Sequence, residues 1–570
     1  MKYKILTLAA GLTLFLNSCV DMDMTPLDQG SSESWYSTVE ELDMAVNEYY
    51  ILGYWRDPLE NSEQWTDNFT YRNTHRMDIL YGTMNGGIWQ AQTLWTQSYK
   101  LIARANSLLE KIDAQATAVA QDKVDYYKSE AYFARACKYA DLISYYGDVV
   151  YLDKYITIEE AYQKGRTSKD EIIPLVYDDF DKAAANLPVS FGTGIQRATK
   201  GAAYAMKARF ALYMGDWAIA AEAAKNCMDL GVYELYDDYG KLFLQSTKSE
   251  TKEKIFYIPR SIANSVVLEQ WIVNNELTRN PGGYGSACPS WDLLASFLCT
   301  DGLPIDESPL FDPHNPFKNR DPRCAMTIVE FGTEHAGFHY DPHPEVTKVM
   351  NYTTGNMQDN QDNRAINQYA SYNALNWKKG IDISWTENGK KVERDYVMMR
   401  YADVLLMYAE AKIELGQIDA TVLNAINTVR ARAYGAKAAE TAKYPAVTET
   451  DQTKLRRIVR LERRMETANE ALRYMDLIRW RLAEKALNTK NYGILYPASD
   501  LIDKITSKGL WFWPTTPQID EDGIPDFSVM ENAGQITVLS QRIWDNRQYL
   551  WPIPTSEIEI CPNLKQNTGY

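Results

Sequence analysis

The run Ala205-x-x-Ala208-x-x-x-Leu212-Tyr213-x-Gly215-Asp216-Trp217-x-x-Ala220-x-x-Ala223 constrains the fold more than any other part of this chain. Small residues at helical spacing on both sides of Gly-Asp let two antiparallel helices approach closely, and Gly215 is the residue that ends the first of them. The spacing predicts helices over 200–214 and 217–230. A second copy runs from Tyr401 through Leu405, Tyr408 and Ala411, stops at Leu415-Gly416, and has its partner helix over 420–434. Other segments carry the same period. Trp35, Val39, Leu42 and Val46 share one face of 34–50, Trp95, Tyr99, Ile102, Ala105 and Leu108 one face of 89–112, and Tyr127, Ala131, Ala134 and Ala140 one face of 123–146. A cap-like Ser168 opens 168–187 before Pro188, and 455–465 with 468–487 form a further helical pair.

The Ala205 and Tyr401 units resemble tetratricopeptide hairpins. Between them, residues 233–393 are rich in Gly, Pro, Asn and Asp and keep no sustained period. That stretch is too long for a structureless loop in a compact chain, so it is expected to form an irregular lobe on the helical scaffold, joined by a second irregular segment near 488–547. The expected class is mainly α, a tetratricopeptide-like helical-hairpin scaffold with a loop-rich lobe. Its parts are a leader (1–18), a first scaffold part (19–232), the lobe (233–393), a second scaffold part (394–487), and an irregular C-terminal segment (488–570) packing on both.

The leader has a basic start at Lys2 and Lys4, an apolar stretch from Ile5 to Leu16, and Leu16-Asn17-Ser18-Cys19 at its end. It is similar to a bacterial lipoprotein signal, too short to span a bilayer, with Cys19 as the lipidated residue and a position outside the cytoplasm as the consequence. The 60 basic and 76 acidic side chains give a net charge of −16, which repels a phosphate backbone and argues against nucleic acid. Six cysteines beyond Cys19 are scattered without a Cys-x-x-Cys, and a chain of this size needs no disulfide staples. The 39 Tyr and 15 Trp offer flat apolar faces with polar tips, suited to a wet surface that stacks on a partly polar ligand.

Several runs in order along the chain together resemble the SusD/RagB family of surface glycan-binding lipoproteins. They are Ser18-Cys19 with Asp21 and Pro26, Trp95-x-x-x-Tyr99-x-x-Ile102-x-x-Ala105-Asn106, Arg400 through Leu406 to Glu410-Ala411, and Trp551-Pro552-Ile553-Pro554 with Asn563 to Gly569-Tyr570. The resemblance implies an outer-membrane protein facing the exterior, a lobe that binds oligo- or polysaccharide without catalysis or cofactor, and docking on a SusC-like TonB-dependent transporter. It also implies where the glycan lies: on aromatics of the lobe, helped by the loop before the second helix. In that loop Asp67 is the expected carboxylate and Trp89 an expected stacking platform, although Trp89 serves equally well as a cap on the helix core at Trp95. The glycine loop 280–286 delivers Tyr284 and Trp291 to the expected face, since glycines let a backbone come near a ligand. Cys288 either lines that pocket or is buried as a small apolar group. Arg364 offers a fork of donors to vicinal hydroxyls, and Tyr396 would close the arc from the scaffold side unless it is core. The Cys-Pro-Ser-Trp run at 288–291 leans the reading towards a fructan such as levan or inulin.

Other constellations carry less. His335, His339 and His343 recur every four residues, but Gly337, Pro342 and Pro344 oppose the helix that would gather them for a metal. Asp520-x-Asp522-Gly523-x-x-Asp526 and Asp359-Asn360-x-Asp362-Asn363 are dense in oxygen ligands, yet neither completes a calcium loop with its closing Glu. Spacing nominates no glycosidase carboxylate pair. The rival readings are a glycoside hydrolase on the same anchor and a lobe that binds peptide or only the transporter.

Overall fold

The computed structural model describes residues 35–72, 77–192 and 195–570, so the leader and Cys19 lie outside the described residues. Among the described residues nine helices build the scaffold: α1 (Val39–Asn47), α2 (Trp89–Gln115), α3 (Gln121–Tyr146), α4 (Lys169–Asn186), α5 (Lys200–Met214), α6 (Trp217–Asp229), α7 (Tyr401–Glu414), α8 (Ala420–Ala433) and α9 (Gln452–Thr467). From α2 onward each packs on the next, and α9 lies against α7. The contact between α6 and α7 carries the stack across the whole inserted lobe, so the two hairpins seen in the sequence are consecutive repeats in space. The turns are built as the residues require. Gly215 takes a left-handed φ of 82° and the Asp216 amide returns to the Ala211 carbonyl at 2.9 Å. Thr38, Ser168, Thr199, Asp419 and Asp451 cap the helices that follow them.

The expected helix over 468–487 is broken. Asn469, Ala471 and Arg481 are left-handed, and only Arg473–Arg479 and Ala483–Ala486 are helical. The Lys379 ammonium reaches from the lobe to the carbonyls of Glu466 and Ala468 at 3.2 and 2.8 Å, satisfying groups that a continued helix would have used itself.

Among the described residues two large apolar cores result, beside a small cluster of Ala431, Ala436 and Tyr444. One lies among the scaffold helices and takes in Trp544, Trp551, Ile553 and Leu564 from the chain's end. The other belongs to the lobe and is dominated by Trp291, Phe297, Trp377, Trp385, Phe512, Trp513 and Phe527. Strands Lys254–Ile258 and Tyr396–Arg400 pair antiparallel where the chain enters and leaves the lobe, and Phe69–Tyr71 pairs with Ala287–Pro289, tying the loop before α2 to it. A four-stranded antiparallel sheet in chain order spans Thr333–His335, Phe338–Tyr340, Lys348–Asn351 and Asn356–Asp359. His335 and His339 therefore stand on a β-hairpin, and burial pushes His335 down to about 3. The cysteines at 137, 227, 288, 299, 324 and 561 are free thiols. Among the described residues no helix is long and apolar enough to cross a membrane.

Scaffold and lobe are joined by buried charge that periodicity did not announce. Glu466 on α9 receives Arg400 at 2.6 Å, Arg323 of the lobe at 3.0 Å, and Arg432 of α8. Glu253 binds Arg400 and Arg432 at 2.8 and 2.9 Å, and Glu462 binds Arg323 and Arg430 at 2.8 and 2.7 Å. Asp403 of α7 is held by Arg209 and Arg463, and Arg463 continues to Asp476 at 2.7 Å. Burial alone raises the carboxyls of Glu466, Asp403 and Asp67, but the surrounding guanidinium groups override it and hold all three well below the usual carboxylate range.

Carboxyls held low in the folded chain add stability that is complete above their unfolded values, about 4, and is lost as pH falls below them. Glu130 runs the other way. Burial pushes it up to about 7 against hydrogen bonds from Tyr126 and Tyr50, so its contribution is complete below about 4 and is lost as pH rises through 7. The urea midpoint is expected to peak near about pH 5, decline gently towards 8, and drop steeply below about 4. A midpoint that keeps rising from about pH 4 to 3 would contradict the assignment of the network.

Candidate functional site

The glycine loop reaches the surface for local reasons. A Cβ on Gly283 would sit 2.0 Å from the Leu277 carbonyl oxygen, and Gly282 and Gly285 have φ of 91° and 49°, so the chain can fold back tightly only with glycine there. The loop presents Tyr284 with 50% of its surface exposed. Arg72 clips it to a second loop by donating from Nη1 to the carbonyls of Tyr284 at 2.7 Å and Tyr369 at 2.6 Å, and Arg279 reaches the same two carbonyls at 3.2 and 3.3 Å. Both guanidinium groups also lie over the Tyr369 ring, at 5.6 and 5.9 Å, while 52% of Tyr369 faces solvent.

Along the same loop Arg364 is stacked between two rings, 3.8 Å from Tyr372 and 4.2 Å from Tyr496. Tyr496, 48% exposed, comes from the C-terminal irregular segment, which approaches because a Cβ at Gly493 would lie 2.4 Å from the Tyr372 carbonyl oxygen. Beneath, Asp362 accepts from the amides of Arg279 at 2.7 Å and Asn280 at 3.0 Å, and burial pushes its carboxyl up to about 6 against those bonds. Asn363 donates to the carbonyls of His343, Pro344 and Val346. These oxygen-rich residues hold backbone in place. In the other calcium candidate, Lys485 places its ammonium on Asp520 at 2.9 Å and Asp522 at 2.5 Å, the position a cation would take. Among the described residues no group of three or more His, Cys, Asp or Glu is placed to hold a metal.

Tyr284 and Arg364 thus meet on one open face with Tyr369, Tyr372 and Tyr496. The other expected residues lie elsewhere. Asp67 is fully buried, with Arg473 on both oxygens at 2.9 Å and Arg464 at 2.9 Å, so no surface of it can meet a ligand. Trp291 is 1% exposed, donates its indole N–H to the Asn373 carbonyl at 2.9 Å, and packs against Phe512, Trp513 and Phe527. Cys288 is buried, and burial pushes its thiol up to about 12. Tyr396 lies in the seam between scaffold and lobe, lining cavities with Glu60, Lys379 and Arg394 on one side and Trp55, Tyr145 and Met206 on the other. Trp89 is exposed at 55%, but it opens α2 beside Gly86, whose neighbours are Ile553 and Thr555 of the C-terminal segment. The sequence signal for the missing rings was the run from Arg364 to Tyr372 in an aperiodic stretch, with two tyrosines close behind an arginine; Tyr496 had no signal without the fold.

The molecule is thus a helical-repeat scaffold that carries an irregular lobe with an open face of tyrosine rings and guanidinium groups. Residues 243–570 match the SusD family and residues 27–212 match a family described as starch-binding, associating with outer membrane. The chain belongs to the SusD family. It is similar to a SusD-like carbohydrate binding protein from Bacteroides fragilis, with 28% identity and a TM-score of 0.76 over 94% of this chain and 100% of that one. A second SusD-like protein from Bacteroides fragilis shares 24% identity at a TM-score of 0.72 over 96% and 100% of the two chains. The SusD-like protein P2 of Formosa agariphila is 24% identical over 85% of this chain and 92% of its own.

Proposed function

We propose that this chain is a non-catalytic outer-membrane lipoprotein, anchored through Cys19, that captures an oligo- or polysaccharide on the Tyr284, Tyr369, Tyr372 and Tyr496 face. It hands the glycan to a SusC-like TonB-dependent transporter. The observation that carries the reading is the face itself: half-exposed rings stack on the C–H faces of sugars while guanidinium N–H groups meet hydroxyls or charges. Membership of the SusD family supports it, as does the Bacteroides fragilis relative, whose name records carbohydrate binding. An open face with many weak contacts suits a carrier that must release its cargo. The fructan lean loses its basis, because Cys288, Pro289, Ser290 and Trp291 are all buried and read no ligand.

The test is titration calorimetry of the chain without its leader and Cys19 against fructans, glucans, xylans, mannans and acidic polysaccharides, with Tyr284→Ala and Tyr369→Ala beside it. One glycan class should give heat, and the double variant should weaken binding by about tenfold or more. Undiminished binding by the double variant would move the site off this face. Absence of heat with every glycan would refute capture by the isolated chain.

A further inference from the structure

The charge on this face is at odds with the chain around it. The protein is acidic, at −16, and where scaffold meets lobe it surrounds two buried guanidinium groups with carboxylates: Arg323 with Asp321, Glu462 and Glu466, Arg400 with Glu253, Glu466 and Glu470. Arg364 is treated differently. Its neighbours are the two tyrosine rings, no carboxylate forms an ion pair with it among the described residues, and its Nε and Nη1 have no hydrogen-bond partner there. Arg279 likewise forms no ion pair with a carboxylate among the described residues, and its Nη1 meets only carbonyls. Asp362, two residues before Arg364, is buried and committed to two backbone amides. Burial first, and then the proximity of Arg279, lowers Arg72 from its ordinary value.

A site that reads only hydroxyls has no need to gather cations; carboxylate, amide and hydroxyl side chains meet hydroxyls as well. A planar guanidinium held between rings is matched instead to a carboxylate or sulfate oxygen pair. Building on the glycan-binding reading above, we propose that the cargo is an acidic glycan, bearing uronate carboxylates or sulfate esters, and that Arg364 and Arg279 read its charge. Tyr496, half exposed, covers one face of the Arg364 guanidinium at 4.2 Å.

The experiment compares charged glycans with uncharged twins: oligogalacturonate with its methyl ester, and sulfated chondroitin oligosaccharides with desulfated, carboxyl-esterified ones, with alginate as a further acidic probe. Calorimetry at about 20 mM and about 300 mM salt reads both affinity and screening. A charged form should bind at least about tenfold tighter than its twin and weaken severalfold in high salt, and Arg364→Gln should narrow that gap. The galacturonate and sulfate arms separate carboxylate from sulfate recognition. Equal affinity for charged and uncharged twins, or binding to neutral glycans alone, overturns the acidic cargo and leaves glycan capture standing. No binding to any glycan, charged or neutral, removes both. The twin comparison uses the unaltered sequence, so it decides even if Arg364→Gln fails to fold.

Discussion

Glu466→Ala is expected to lower unfolding stability by about 3–5 kcal/mol, the cost of stranding buried charges whose partner is removed. Three guanidinium groups converge on this carboxylate, Arg323 from the lobe, Arg400 from the strand that leaves it and Arg432 from α8, and all four side chains are buried. Glu253, Glu462 and Glu470 would still hold these arginines, but each of the three would lose one acceptor in a medium that offers no water in its place. Glu466→Gln keeps the shape and removes the charge, so it should fall between. Urea unfolding followed by tryptophan fluorescence gives the measurement. A loss under about 1 kcal/mol for the alanine variant would mean that the network is redundant.

Trp291→Ala is expected to cost about 3–5 kcal/mol, in the range for removing a large buried aromatic, through the cavity it opens among Phe512, Trp513 and Phe527. Glycan affinity, measured well below the lowered melting temperature, should stay within about twofold of the parent. The two readouts separate packing from contact: an unchanged melting temperature with abolished binding would place the ring on the ligand, against its 1% exposure.

The helices were legible because their apolar faces repeat at the helical period and because Gly215 and Gly416 announce where a hairpin turns. Continuity of the stack through α6 and α7 was not, since no local pattern says that two segments on either side of a long insertion touch. The break after Thr467 also escaped, because it depends on Lys379 arriving from the lobe. For the face, Tyr284 and Arg364 could be named from the glycine loop and its aperiodic setting. Trp291 could not be separated from Tyr284 by composition: both lie in the run that opens with the glycine loop, and what buries one and exposes the other is the lobe core built from residues 512–527. Asp67 was misread for a related reason. A lone acidic residue in a loop resembles a ligand group until the arginines at 464 and 473, hundreds of positions away, are seen to close on it.

The paired strands Lys254–Ile258 and Tyr396–Arg400 form a stem that lets the chain leave the helical stack and return to the place it left. A segment held that way is a cassette: its outer loops can be rewritten or lengthened without disturbing the repeats on either side, provided the stem and the residues that reach the scaffold, Arg323, Lys379 and the strand Ala287–Pro289, stay. Change can then concentrate in a few loop positions while the helical repeats keep the same surface.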